Sequence, residues 1–83
     1  MDRSLLIVDD EWDMLQLLKR ILEPDLKCRA ETASSGEQAL KALTEQSFDL
    51  VLADIKMPGM DGLELLELIK RDHPDLTVVM MTA

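Results

Sequence analysis

Short aliphatic runs alternate with longer amphipathic stretches along this chain, and the change of hydrophobic period from one to the next marks its elements. Leu5 to Val8 is a continuous aliphatic run ended by Asp9, as expected of a strand covered on both faces. From Glu11 to Glu23, the residues Met14, Leu15, Leu17, Leu18, Ile21 and Leu22 recur at spacings of three and four, which predicts one apolar helix face. Pro24 is expected to stop that helix near Leu22 or Glu23, because it has no N–H to donate and crowds the preceding turn. Lys27 to Ala33 alternates loosely, with Cys28, Ala30 and Thr32 against Arg29 and Glu31, as a half-exposed strand near a sheet edge would.

Ser34-Ser35-Gly36-Glu37 fits a capping box in which Ser34 accepts from an N–H three residues on and Glu37 reaches back. Ala39, Leu40, Ala42 and Leu43 form the apolar side of the helix it starts. Phe48 to Ala53 is the third strand, with Asp54 at its C-terminal end. Pro58, Gly59 and Gly62 punctuate the loop that follows, and turn geometry suffices to explain all three. Asp61 is placed to cap a third helix, from about Leu63 to Asp72, which uses Leu63, Leu65, Leu66, Leu68 and Ile69 and is closed by His73-Pro74. Leu76 to Met81 is a last β-branched and aliphatic strand. The order β-α-β-α-β-α-β predicts an α/β fold: a parallel sheet with right-handed crossovers and helices on both faces.

A length of 83 residues allows one domain. The formal charge of −8 argues against direct nucleic-acid binding, which needs a basic face. The single cysteine, Cys28, excludes an internal disulfide and a cysteine-based zinc cluster, and reads as a small apolar residue. The first apolar run is too short for a signal-peptide core or a membrane span, so a cytoplasmic protein without membrane contact is expected.

In an open parallel sheet the binding crevice lies beyond the carboxyl ends of the strands. Asp9 and Asp10 follow the first strand and Asp54 ends the third, so neighbouring placement of those strands would bring three carboxylates together. Such a cluster is costly without a cation, and a hard divalent ion bound through oxygen, magnesium in particular, suits it. The plainer alternative is that Asp9, Asp10 and Glu11 cap the first helix and complement its dipole. Trp12 reads as a partly exposed residue beside the site. His73, the only histidine, suits a helix C-terminus better than catalysis.

The runs Leu6-Ile7-Val8-Asp9-Asp10-Glu11, Asp49 to Gly62 and Met81-Thr82-Ala83 together resemble the receiver domain of two-component response regulators, in order and in spacing. The resemblance covers residues 1–83 and implies a flavodoxin-like three-layer sheet in the order 2-1-3-4. It implies that Asp54 is the phosphoacceptor for a sensor histidine kinase. It further implies that Asp10 binds magnesium directly and Asp9 largely through water, with Asp54 and the Lys56 backbone carbonyl as further ligands. Thr82 then matches the hydroxyl that turns toward the phosphoryl group. Such a domain is a regulatory module rather than an enzyme, and its output is expected in a C-terminal domain, most naturally one that regulates transcription.

A complete receiver continues to a fifth strand, with a lysine after it and two further helices. The 83 residues reach the fourth strand, and none of them matches that lysine. The fourth strand is therefore expected to be an unpaired hydrophobic edge, so that the 83 residues are either a fragment, the N-terminal two-thirds of a receiver, or dimerise by edge pairing or helix exchange. Two other readings are a phosphorylation-independent interaction module and a phosphohydrolase of the haloacid dehalogenase type. The second wants Asp-x-Asp after the first strand, where this chain has Asp9-Asp10-Glu11.

Overall fold

The computed structural model describes residues 3–81. Its elements follow the predicted order: β1 (Arg3–Val8), α1 (Trp12–Leu26), β2 (Cys28–Ala33), α2 (Gly36–Glu45), β3 (Leu50–Asp54), α3 (Gly62–Asp72) and β4 (Thr77–Met81). The strands form one sheet in the order β2-β1-β3-β4, and each neighbouring pair is parallel. This is the flavodoxin-like arrangement, with β1 and β3 side by side at its centre.

The uninterrupted aliphatic run of β1 is explained by its position, since both faces of that strand are covered. Leu6 and Val8 point to one face and pack with Val51, Ala53, Leu65, Ile69 and the apolar side of α2. Leu5 and Ile7 point to the other and pack with Leu15 of α1 and Ala30 of β2. β2 is an edge strand, which accounts for its looser alternation.

Helix α1 does not stop at Pro24. It runs to Leu26 with Pro24 inside its last turn and closes at Lys27, whose left-handed backbone (φ 50°) lets its N–H reach the carbonyl of Glu23. Proline here removes a single backbone bond close to the end, where the remaining turn can still be capped. The strand that was expected to begin at Lys27 accordingly begins at Cys28.

The capping box is shifted by one residue. Ser35, not Ser34, is the N-cap of α2, and its hydroxyl accepts from the Gln38 N–H at 3.1 Å. The reciprocal partner is Gln38 rather than Glu37: its Oε1 accepts from both the N–H and the hydroxyl of Ser34, each at 2.9 Å. Two adjacent serines permit both registers, and the backbone selects the one in which Gly36 starts the helix. Asp61 caps α3 as predicted, accepting from the Glu64 N–H at 2.9 Å.

Gly62 requires a different explanation from turn geometry. A Cβ placed on it would lie 2.7 Å from the Cα of Ile55 and closer still to the carbonyl oxygen of Asp54. Only a residue without a side chain lets the start of α3 rest against the end of β3, and the Gly62 N–H uses that proximity to bond the Ile55 carbonyl at 2.8 Å. Gly59, at φ 73°, is a turn residue in the ordinary sense. Gly62→Ala is expected to lower stability by about 1–3 kcal/mol, the usual cost of forcing atoms into a packed region, read as a fall in the urea midpoint.

Candidate phosphoacceptor site

The carboxyl ends of β1 and β3 bring three acidic residues to one place. Val8 pairs with Ala53 in the parallel ladder, so Asp9, just past the end of β1, and Asp54, the last residue of β3, stand at the same level. One carboxylate oxygen from each of Asp9, Asp10 and Asp54 lies within 4.8 Å of the others. Asp9 is buried at 5% exposure, Asp54 is half-buried and Asp10 is exposed.

Backbone groups hold the cluster in shape. The Asp9 N–H continues the β1-β2 ladder to the carbonyl of Ala33 at 3.1 Å. The Asp9 Oδ1 accepts from the Glu11 N–H at 2.9 Å, and the Asp54 Oδ1 accepts from the Lys56 N–H at 3.3 Å. That second bond brings the Lys56 peptide beside the cluster while its side chain stays exposed. Thr82 lies outside the described residues.

The capping alternative for the acidic run is weak. Glu11 is the N-cap of α1 and makes no side-chain cap bond, and Asp9 bonds the N-cap residue's own N–H rather than an amide inside the first turn. Trp12 opens the helix two residues after Asp10 and is exposed, at 68%. His73 is the C-cap residue of α3, at the opposite end of the strands, with its N–H on the Ile69 carbonyl.

Charge is the unresolved quantity in this arrangement. Among the described residues the one side-chain ion pair joins Arg71 to Asp72, at the far end of α3, so no basic side chain neutralises the cluster. Burial pushes the Asp9 carboxyl above the usual range; the Glu11 N–H opposes this, and the charges of Asp54 and Asp10 add to the rise. Three convergent hard oxygens with uncompensated charge suit a small divalent cation such as magnesium, which takes one or two carboxylates and completes its shell with water.

Residue types alone did not reveal two supports of the site. One is the Ala33 carbonyl, which any residue could provide; the other is the contact at Gly62, where the signal was a glycine directly after a capping aspartate.

A family model for the response regulator receiver domain matches residues 5–83. The DNA-binding transcriptional regulator NtrC of Klebsiella pneumoniae is 49% identical over 78 residues, which are 93% of this chain and 16% of that protein. Sporulation initiation phosphotransferase F of Bacillus subtilis is 39% identical over 83 residues, all of this chain and 66% of that one. Among solved structures, the response regulator TrrA of Thermotoga maritima in complex with Mg2+ and BeF superposes with a TM-score of 0.93 at 38% identity, covering 98% of this chain and 70% of that one. The chain thus spans about a sixth of the NtrC relative and about two-thirds of the others.

A folded-state carboxyl pKa raised above the unfolded value means that the native protein binds the extra proton. Stability from Asp9 is therefore fully present below the unfolded pKa and is lost as pH rises through the folded one. Without divalent cations, Asp9→Asn is expected to raise the thermal midpoint at neutral pH and to leave it little changed at strongly acidic pH. Parallel melts at the two pH values check this.

Proposed function

The chain belongs to the response regulator receiver family, and on that footing we propose that Asp54 accepts a phosphoryl group from the phosphohistidine of a sensor kinase. The observation that carries the reading is the joint position of Asp9, Asp10 and Asp54 at the ends of two adjacent parallel strands, without a cationic side chain among them. Residues 1–83 are read as one receiver unit.

In the proposed reaction a carboxylate oxygen of Asp54 forms a bond to phosphorus as the phosphorus–nitrogen bond of the phosphohistidine breaks. The electron pair of that bond passes to the imidazole nitrogen, which takes up a proton. Nucleophilic attack by a carboxylate on a phosphoryl group depends on alignment and charge neutralisation more than on acid–base chemistry from the protein. The Lys56 N–H fixes one oxygen of Asp54 and so orients the carboxylate. Asp9, Asp10 and Asp54, together with the Lys56 backbone carbonyl, are the groups proposed to hold magnesium. When bound, magnesium supplies positive charge against the carboxylates and the phosphoryl oxygens.

Phosphorylation places a dianionic group where three carboxylates already converge, so the two forms differ sharply in local charge. Thr82 is proposed as the hydroxyl that senses it. The kinase is the proposed partner upstream and a transcription-regulating output domain the one downstream, by analogy with the NtrC relative. No helix among the described residues is long and apolar enough to cross a membrane; a cytoplasmic location is proposed from the family reading alone.

Two measurements test this. Incubation with a small phosphodonor and magnesium is expected to add one phosphoryl group to the chain by intact mass, and Asp54→Asn to abolish the adduct; an equal adduct on the variant would refute the assignment. Magnesium at about 100 times its dissociation constant should stabilise the fold by about 2.7 kcal/mol, and Asp10→Asn should remove most of that gain.

A further inference from the structure

Gly36 opens α2 and is buried. Its backbone is one that any residue can adopt, so space rather than conformation requires glycine there. A Cβ placed on it would stand 2.6 Å from the Met60 Sδ, 3.0 Å from its Cγ and 3.1 Å from its Cβ. Swinging the thioether aside would still leave the Met60 Cβ, which is fixed to its own backbone. The Met60 side chain thus lies along the first turn of α2, and it also packs on the core cluster under α2 and α3.

This contact joins the two sides of the acidic site. On one side Gly36 follows Ala33 by three residues, and the Ala33 carbonyl accepts from the Asp9 N–H at 3.1 Å. On the other, Met60 belongs to the loop between β3 and α3, four residues after Lys56, whose N–H bonds the Asp54 carboxylate. The base of that loop is tied at Ile55, which donates to the Met81 carbonyl and accepts from the Gly62 N–H. Met57 is buried in the core. Beyond it the chain turns through Pro58 and Gly59, with Gly59 at φ 73°, and its returning limb meets α2 through Met60.

Taking Asp54 as the phosphoacceptor and the Lys56 carbonyl as a magnesium ligand, the readings on which this rests, we infer that Met60 is a positioning residue. Seated on Gly36, it fixes how far the loop bearing Lys56 stands from the β2-α2 turn that holds Asp9. It thereby sets the spacing at which Asp9, Asp54 and the Lys56 carbonyl meet one cation. Magnesium asks for near-ideal octahedral geometry at short bond lengths, so a small shift of one ligand weakens the whole set. Groups that orient metal ligands without touching the metal govern its affinity by about 10- to 100-fold.

Two measurements test this, the first without metal. In urea unfolding of the metal-free chain, Gly36→Ala is expected to lower the midpoint, because the added methyl meets Met60. In a Met60→Ala background the same change should leave the midpoint unchanged or raise it, since alanine is the better helix former once the space is free. In calorimetric titration of the folded chains with magnesium, Met60→Ala and Gly36→Ala should each weaken binding about tenfold. Met60→Leu, which keeps most of the apolar volume, should bind nearly as the parent does. Leu43→Val is the control: Leu43 sits in the last turn of α2 near Phe48 and Pro74, at the opposite end of the strands. It should lower the urea midpoint and leave magnesium affinity unchanged. Equal midpoint losses from Gly36→Ala in both backgrounds, parental affinity in Met60→Ala, or equal weakening by Leu43→Val would overturn the role of Met60 while leaving the magnesium site standing. A parent chain that binds no magnesium would overturn the site itself, and the role of Met60 with it.

Discussion

Three carboxylates with oxygens within 4.8 Å of one another, one of them on a buried residue, stand at the ends of two adjacent parallel strands. Keeping like charges together in a partly desolvated place costs free energy, and the surrounding fold has to supply it. The supply comes from the central strands. β1 is buried on both faces and β3 is hydrogen-bonded on both sides, so their C-terminal ends cannot spread apart to relieve the repulsion without opening the core. A cation bound among the three oxygens would offset that repulsion.

The backbone shares in that work. Asp9 is held from the Ala33 side by its own N–H and from the Glu11 side by its carboxylate, and Asp54 is steadied by the Lys56 N–H. Gly62 brings the first turn of α3 against the Asp54 peptide, which ties the position of the candidate nucleophile to the packing of Leu65 and Ile69 below it.

The two sheet faces are unequal. Eleven buried residues form the cluster under α2 and α3, and four form the one under α1. Leu17 and Ile21 on α1 remain exposed, as does Val79 on β4. Among the described residues the larger core therefore lies under α2 and α3, and the smaller one under α1 leaves apolar surface.

Much of this was legible from residue order. Period and punctuation located all seven elements to within a few residues, because continuous aliphatic runs and three-four spacing answer to burial, which is a local demand on each segment. The Asp54-to-Gly62 motif with Asp9-Asp10 named the acidic residues. Details that depend on a choice between near-equal local options were not legible. Ser34 and Ser35 offer equivalent hydroxyls, Pro24 can end a helix or sit in its last turn, and Gly62 looks like any loop glycine. Those were decided when the elements packed, since only then did one register satisfy its hydrogen bonds. The sequence by itself determined which residues could carry charge, cap a helix or fill a core. Only the tertiary structure set β1 beside β3, and that adjacency brings Asp54 to the adjacent pair Asp9 and Asp10 as one site, because Coulomb repulsion and cation binding act through distance in space.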